Sequence, residues 1–66
     1  MTQLEILNLA YDAALQKMLE NKEKADKAIA EGRPAAIAMN FEAQYHEKMD
    51  EIMDLIAAEE SKAAEA

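Results

Sequence analysis

The chain has 66 residues, 52% of them hydrophobic, but alanine is the largest share. The bulky apolar side chains are six Leu, five Ile, five Met, two Tyr and one Phe, and fourteen acids against seven bases give a formal charge of −7. With no cysteine, these counts exclude several domains, a disulfide scaffold and a cysteine-ligated zinc module. No stretch approaches the ~18 apolar residues of a membrane span. No basic segment leads into an apolar core, so no signal peptide is expected and the location is read as cytoplasmic.

In chain order, Thr2 and Glu5 have the T-x-x-E spacing of a capping box, which marks a helix start. The spacing predicts a first helix over about 3–31. Leu4, Leu7, Tyr11, Ala14, Leu15, Met18, Ala25, Ala28 and Ile29 recur on one face at 3.6 residues per turn. Glu20–Lys24 and Glu23–Lys27 have the favourable i,i+4 order. Gly32 and Pro34 are the chain's one glycine and one proline. Glycine favours the position just past a helix end and proline the first turn of the next helix. A turn at 32–33 is therefore expected, with a second helix over about 34–60. Its apolar face is Ile37, Ala38, Phe41, Tyr45, Met49, Ile52 and Ile56. The tail from 61 to 66 has nothing large to pack and is expected to fray.

Two long helices joined by a tight turn make an all-α, antiparallel two-helix hairpin, a single domain over 1–66. Residue i of the first helix should face a residue numbered about 65 minus i in the second. That pairs large with small: Phe41 with Ala25, Ile52 with Ala14, Ile37 with Ala28. One seam is a thin core for a chain of this size, and no disulfide supplements it. Ile6, Leu9 and Ala13 form a second apolar stripe on the first helix. Leu19 lies off the main face, and Leu55 and Met53 flank the main stripe of the second helix on opposite sides. With Ile56 of that stripe, Ile6, Leu9, Ala13, Leu19 and Leu55 are the expected oligomer interface. The expectation is a homodimeric four-helix bundle or a larger helical oligomer, with apolar surplus at the open end of the hairpin.

Catalytic material is nearly absent. The one serine, Ser61, lies in the tail, and the one histidine, His46, has no nucleophile near it, so the chain is read as no enzyme. Glu42, His46 and Asp50 stand at i, i+4 and i+8, a helical spacing that suits metal ligation. The Glu-x-x-His pattern of di-iron bundles is missing, however, and the expectation is a boundary histidine with no metal or cofactor. Glu47, Asp50, Glu51 and Asp54 form an acidic ridge. It is either a solvating face or a mimic of nucleic-acid phosphates. Direct nucleic-acid binding is not expected, because Lys17, Lys22, Lys24, Lys27 and Arg33 are interleaved with acids. At the turn, Arg33, Lys27, Ala35 and Ala36 surround a helix N-terminus and are candidates for holding a small phosphorylated anion. Met39, Met49 and Met53 on the second helix are flexible side chains that most simply fill the core, the alternative being a pliable face for varied partners.

By size, acidity and helical plan, the chain resembles the plasmid copy-control proteins of the Rop family, which dimerise into four-helix bundles. The segment LEILNLAYDAALQKMLENKEKADKA is similar in style to short helical proteins of Gram-positive bacteria and their phages. That likeness implies an accessory or inhibitor role, either blocking a host factor or sequestering a nucleotide signal. The residues themselves point to a non-catalytic helical module that self-associates and binds a protein partner. The alternative is a sponge for an anionic nucleotide-type ligand.

Overall fold

The computed structural model describes residues 1–65 and forms two helices packed side by side, α1 (Gln3–Ala30) and α2 (Ala36–Glu65). Thr2 caps α1 from an extended conformation, its hydroxyl oxygen accepting from the Glu5 N–H at 3.2 Å. In a full capping box the glutamate would accept from the Thr2 backbone N–H; here its partner is different. Glu5 takes the Thr2 hydroxyl hydrogen at 3.2 Å through its carboxylate.

The end of α1 is a Schellman reversal. Gly32 N–H donates to the Ile29 carbonyl at 3.1 Å and Arg33 N–H to the Ala28 carbonyl at 2.7 Å, closing carbonyls that the helix leaves open. Gly32 sits at φ 71°, a left-handed conformation that costs a residue with a Cβ. The break is longer than the expected two residues, and α2 begins at Ala36 rather than at 34. Arg33 precedes proline and is therefore pushed out of helical geometry. Met39 N–H donates back to the Ala35 carbonyl at 2.9 Å, which makes Ala35, a residue with no side-chain acceptor, the cap of α2. At the far end α2 runs through Glu65, whereas fraying was expected from 61. Alanine, glutamate and lysine are strong helix formers, and Lys62 pairs with Glu59 at 3.8 Å. Ala66 lies outside the described residues.

The molecule is a rod of 54 × 18 × 12 Å. Its radius of gyration is 15.5 Å, against about 11 Å for a compact domain of this length. A thickness of 12 Å is that of a single helix with side chains. Every seam residue therefore has solvent within half a helix above and below it.

Besides Leu15, the least exposed positions of α1 fall at Leu4, Leu7, Tyr11, Ala14, Met18, Asn21, Ala25 and Ala28, and those of α2 and its cap at Ala35, Ala38, Glu42, Tyr45, Met49, Ile52, Ile56 and Glu59. Both series step by three and four in alternation, the signature of a coiled-coil seam. The centre is Ala14, Met49 and Ile52, with Tyr11, Leu15, Met18 and Ile56 packed on them. Ala14 and Ile52 thus come together as the expected register has them.

The turn end does not follow the expected pairing. Ile37 is 76% exposed, Ile29 61% and Phe41 44%. Ala25 and Ala28 are buried, and α2 brings Ala35 and Ala38 to the seam there. A strip of alanine on alanine draws the backbones together and leaves no room for Ile37 or Phe41 between them. The apolar surplus consequently reaches the turn end as well as the open end.

Adding a Cβ at Gly32 meets nothing within 4 Å, so Gly32→Ala carries a purely conformational penalty. It should lower stability by about 1 kcal/mol in thermal or urea unfolding. Gly32→Asn should cost less, because asparagine tolerates the left-handed region.

Candidate functional site

A 3.5-residue repeat sorts the remaining side chains onto two broad faces of the rod, one on each side of the seam. On the first lie Leu15, Leu19, Ile29, Met39, Met53 and Ala57, beside the seam residues Tyr11, Met18, Met49 and Ile56. Every methionine within the helices is on this side, and it is called the methionine face. On the second lie Ile6, Ala13, Ile37, Phe41 and Leu55, beside Leu7, Ala14, Tyr45 and Ile52. Every lysine except Lys22 is on this side, and it is called the lysine face.

The surface hollows agree with this division. A groove of about 430 Å³ on the methionine face is lined by Asn8, Tyr11, Met53, Ile56, Ala57 and Glu60. A depression of about 530 Å³ on the lysine face, near the turn, is lined by Lys24, Lys27, Arg33, Ile37, Ala38 and Phe41 among others. The ion pairs also segregate. Lys17–Glu20 at 3.4 Å, Lys48–Glu51 at 3.1 Å and Lys62–Glu59 at 3.8 Å are all on the lysine face. All are solvent-accessible and individually worth little, and among the described residues Lys24 and Lys27 of the same face are in no ion pair. The methionine face carries Glu5, Asp12, Asp26, Asp50 and Glu60, with Lys22 as its one lysine.

The structure divides the expected oligomer interface. Ile6, Ala13 and Leu55 share the lysine face. Leu19 is on the methionine face, Leu9 is on the outer edge of α1, and Ile56 is half-buried in the seam. The acidic ridge of Glu47, Asp50, Glu51 and Asp54 follows the exposed outer side of α2, with Glu51 engaged by Lys48. His46 and Asp50 approach to 3.8 Å on an exposed surface. Glu42 turns to the seam instead. Among the described residues no three such donors gather closely enough to hold a metal ion.

At the turn, Lys27 and Arg33 do meet around one depression, together with Lys24. Arg33 is held by Glu31, its Nε donating to the carboxylate at 2.7 Å. Ala36 is exposed and Ala35 half-buried; neither lines the depression. Two features were missed by sequence reasoning. One is the apolar wall of that depression, Ile37 and Phe41, which the 3.6-residue stripe had placed in the seam. The other is the sorting of lysine and methionine onto opposite faces, which the strict three–four spacing from Ala35 to Glu59 would have revealed.

No family model, no curated protein and no solved structure matches the chain. Among the described residues no helix is long and apolar enough to cross a membrane.

Asn21 and Glu42 occupy seam positions next to the alanine strip and are half-buried. Polar residues in a seam lower stability and fix register. Glu42→Leu should therefore raise unfolding stability by about 1 kcal/mol through added apolar burial. An unchanged or lower melting temperature would place Glu42 outside the seam.

Proposed function

We propose that the chain is a non-catalytic binding module of the cytoplasm, a helical hairpin that pairs with a second copy as a four-helix bundle and engages another protein. The observation that carries this reading is the exposure of its apolar side chains. Ten of the nineteen bulky ones are exposed, and only Leu7, Met49 and Ile52 are buried. Exposed apolar surface on this scale marks interaction sites in soluble proteins. A rod one helix thick also offers no cleft in which catalytic groups could be shielded from water.

Charge favours the lysine face for self-association. Its interleaved Lys17, Glu20, Lys48 and Glu51 are self-complementary, whereas two methionine faces would set acid against acid within the ~8 Å Debye length. Turning the second copy end for end lays Phe41 and Ile37 toward the partner's Ala10 and Ala13, large against small, with the partner's Leu55 beside them. Sedimentation at low micromolar concentration should find a dimer. Leu55→Glu should weaken it at least about tenfold, or roughly 1.4 kcal/mol, while helical content is retained. A monomeric parent would sink the self-association reading.

A second reading is favoured by the turn depression, where Lys24, Lys27 and Arg33 surround the exposed ring of Phe41. Cations beside an aromatic ring suit a nucleotide, with the base on the ring and the phosphates on the cations. Under this reading nucleotides raise the melting temperature, and Arg33→Glu abolishes the shift. The binding-module reading predicts no shift in either protein.

A further inference from the structure

We propose that the methionine face is the docking surface for a cationic amphipathic helix of another protein. The proposal rests on the binding-module reading and names the partner that this face fits. Two observations carry it, one of shape and one of charge.

The first is the groove between α1 and α2. Its floor is Tyr11 and Ile56, and its walls include Met53 and Ala57. Leu19, Met39 and Met53 are exposed along the same face, so the apolar track extends from the groove toward the turn. A trough between two parallel rods accepts a third rod, and the apolar stripe of an amphipathic helix is such a rod. Methionine suits this role because its unbranched, polarizable side chain adjusts to differing neighbours.

The second observation is the rim. Asp12 and Glu60 flank the groove, and Asp26 and Asp50 continue the acidic margin toward the turn. Of these four, only Asp50 has an ion-pair partner among the described residues, the His46 ring at 3.8 Å. The lysines that neutralise acids elsewhere are on the opposite face. An apolar floor with a net-acidic margin is complementary to a helix with an apolar stripe flanked by Lys and Arg. The same rim disfavours a second copy of this chain, and it disfavours nucleic acid and anionic membrane, both of which present negative charge.

The test uses the full chain and a fluorescent Leu/Lys amphipathic peptide of about 18 residues, roughly 27 Å as a helix. A Leu/Glu peptide of the same pattern serves as control. Fluorescence anisotropy should show the cationic peptide binding and the acidic one failing. Met53→Glu is the deciding variant. It adds negative charge, so simple ionic attraction predicts tighter binding, whereas docking of an apolar stripe predicts a loss of about tenfold or more. Leu55→Glu, on the opposite face, removes no groove residue and should lower peptide affinity far less than Met53→Glu does. Leu19→Glu provides a second position on the methionine face, and circular dichroism checks that each variant keeps its helices.

Binding unchanged or strengthened by both Met53→Glu and Leu19→Glu would overturn the proposal, as would equal binding of the two peptides. Sedimentation of the same variants separates this result from the self-association reading. If Met53→Glu rather than Leu55→Glu dissociates the homodimer, the methionine face belongs to the second copy and the proposal fails. If Leu55→Glu dissociates the dimer but the cationic peptide does not bind, self-association stands and the docking proposal falls. If the peptide binds a monomeric parent through Met53, the docking proposal stands alone.

Discussion

The thickness of the molecule governs the rest of its behaviour. Two helices side by side make a slab 12 Å deep, and a slab of that depth has a contact line but no interior. Side chains on the line are covered by the facing helix and by flanking side chains, and among the described residues no large one is fully buried. This explains why Ile52 and Met49, at the centre of the seam, are the best-buried bulky residues of α2 yet retain some exposure. Burial of apolar area contributes about 25 cal/mol per Å², and a single line supplies little of it. The conformational entropy of ordering two long helices opposes folding throughout. Caps and reversal help at the margins, through Thr2 at one end of α1 and Gly32 at the other, but neither adds apolar burial.

Within that limit the seam is graded. At the open end it holds Leu4, Leu7, Tyr11 and Ile56, whose bulk fills the seam. At the turn end it holds Ala25, Ala28, Ala35 and Ala38, which let the backbones approach closely. Asn21 and Glu42 sit between the two zones. Close approach at the turn expels larger neighbours sideways, so Ile37, Phe41 and Ile29 become surface residues by geometry rather than by polarity. The exposed apolar area near the turn is thus a consequence of the alanines, and the hairpin pairs close backbone packing with apolar patches on its flanks.

Much of the architecture is legible in the residues. Thr2 with Glu5, and Gly32 with Pro34, mark the ends of α1 and the reversal. The apolar face of α1 from Leu4 to Ile29 is recovered apart from Ile29 itself, which is exposed. Errors arise where two periods compete. On α2, a 3.6-residue stripe selects bulky Ile37 and Phe41, whereas a 3.5-residue seam selects Ala35, Ala38 and Glu42. Hydrophobicity prefers the first, and close packing against Ala25 and Ala28 prefers the second. Packing wins because an alanine seam excludes side chains of that size. The candidate interface is less legible for the same reason. Ile6 and Leu19 are both off the main face of α1, but they depart from it on opposite sides. Only a fixed seam tells those sides apart.

Once the seam is fixed, the composition of the two faces has a thermodynamic consequence. Tyr11, Ala14, Met49 and Ile52 contribute to the seam and also floor the two faces. Any molecule covering either face removes water from the same line of residues that holds the hairpin together. Binding at one face therefore stabilises the fold that the other face needs, a linkage that requires no change of shape. In the proposed assembly, a second copy on the lysine face lowers the conformational cost of docking a helix on the methionine face, and docking in turn strengthens the dimer by the same free energy. A thicker protein would insulate its two surfaces with an independent core. Here the absence of an interior, which limits the stability of the lone chain, is also what couples one face to the other.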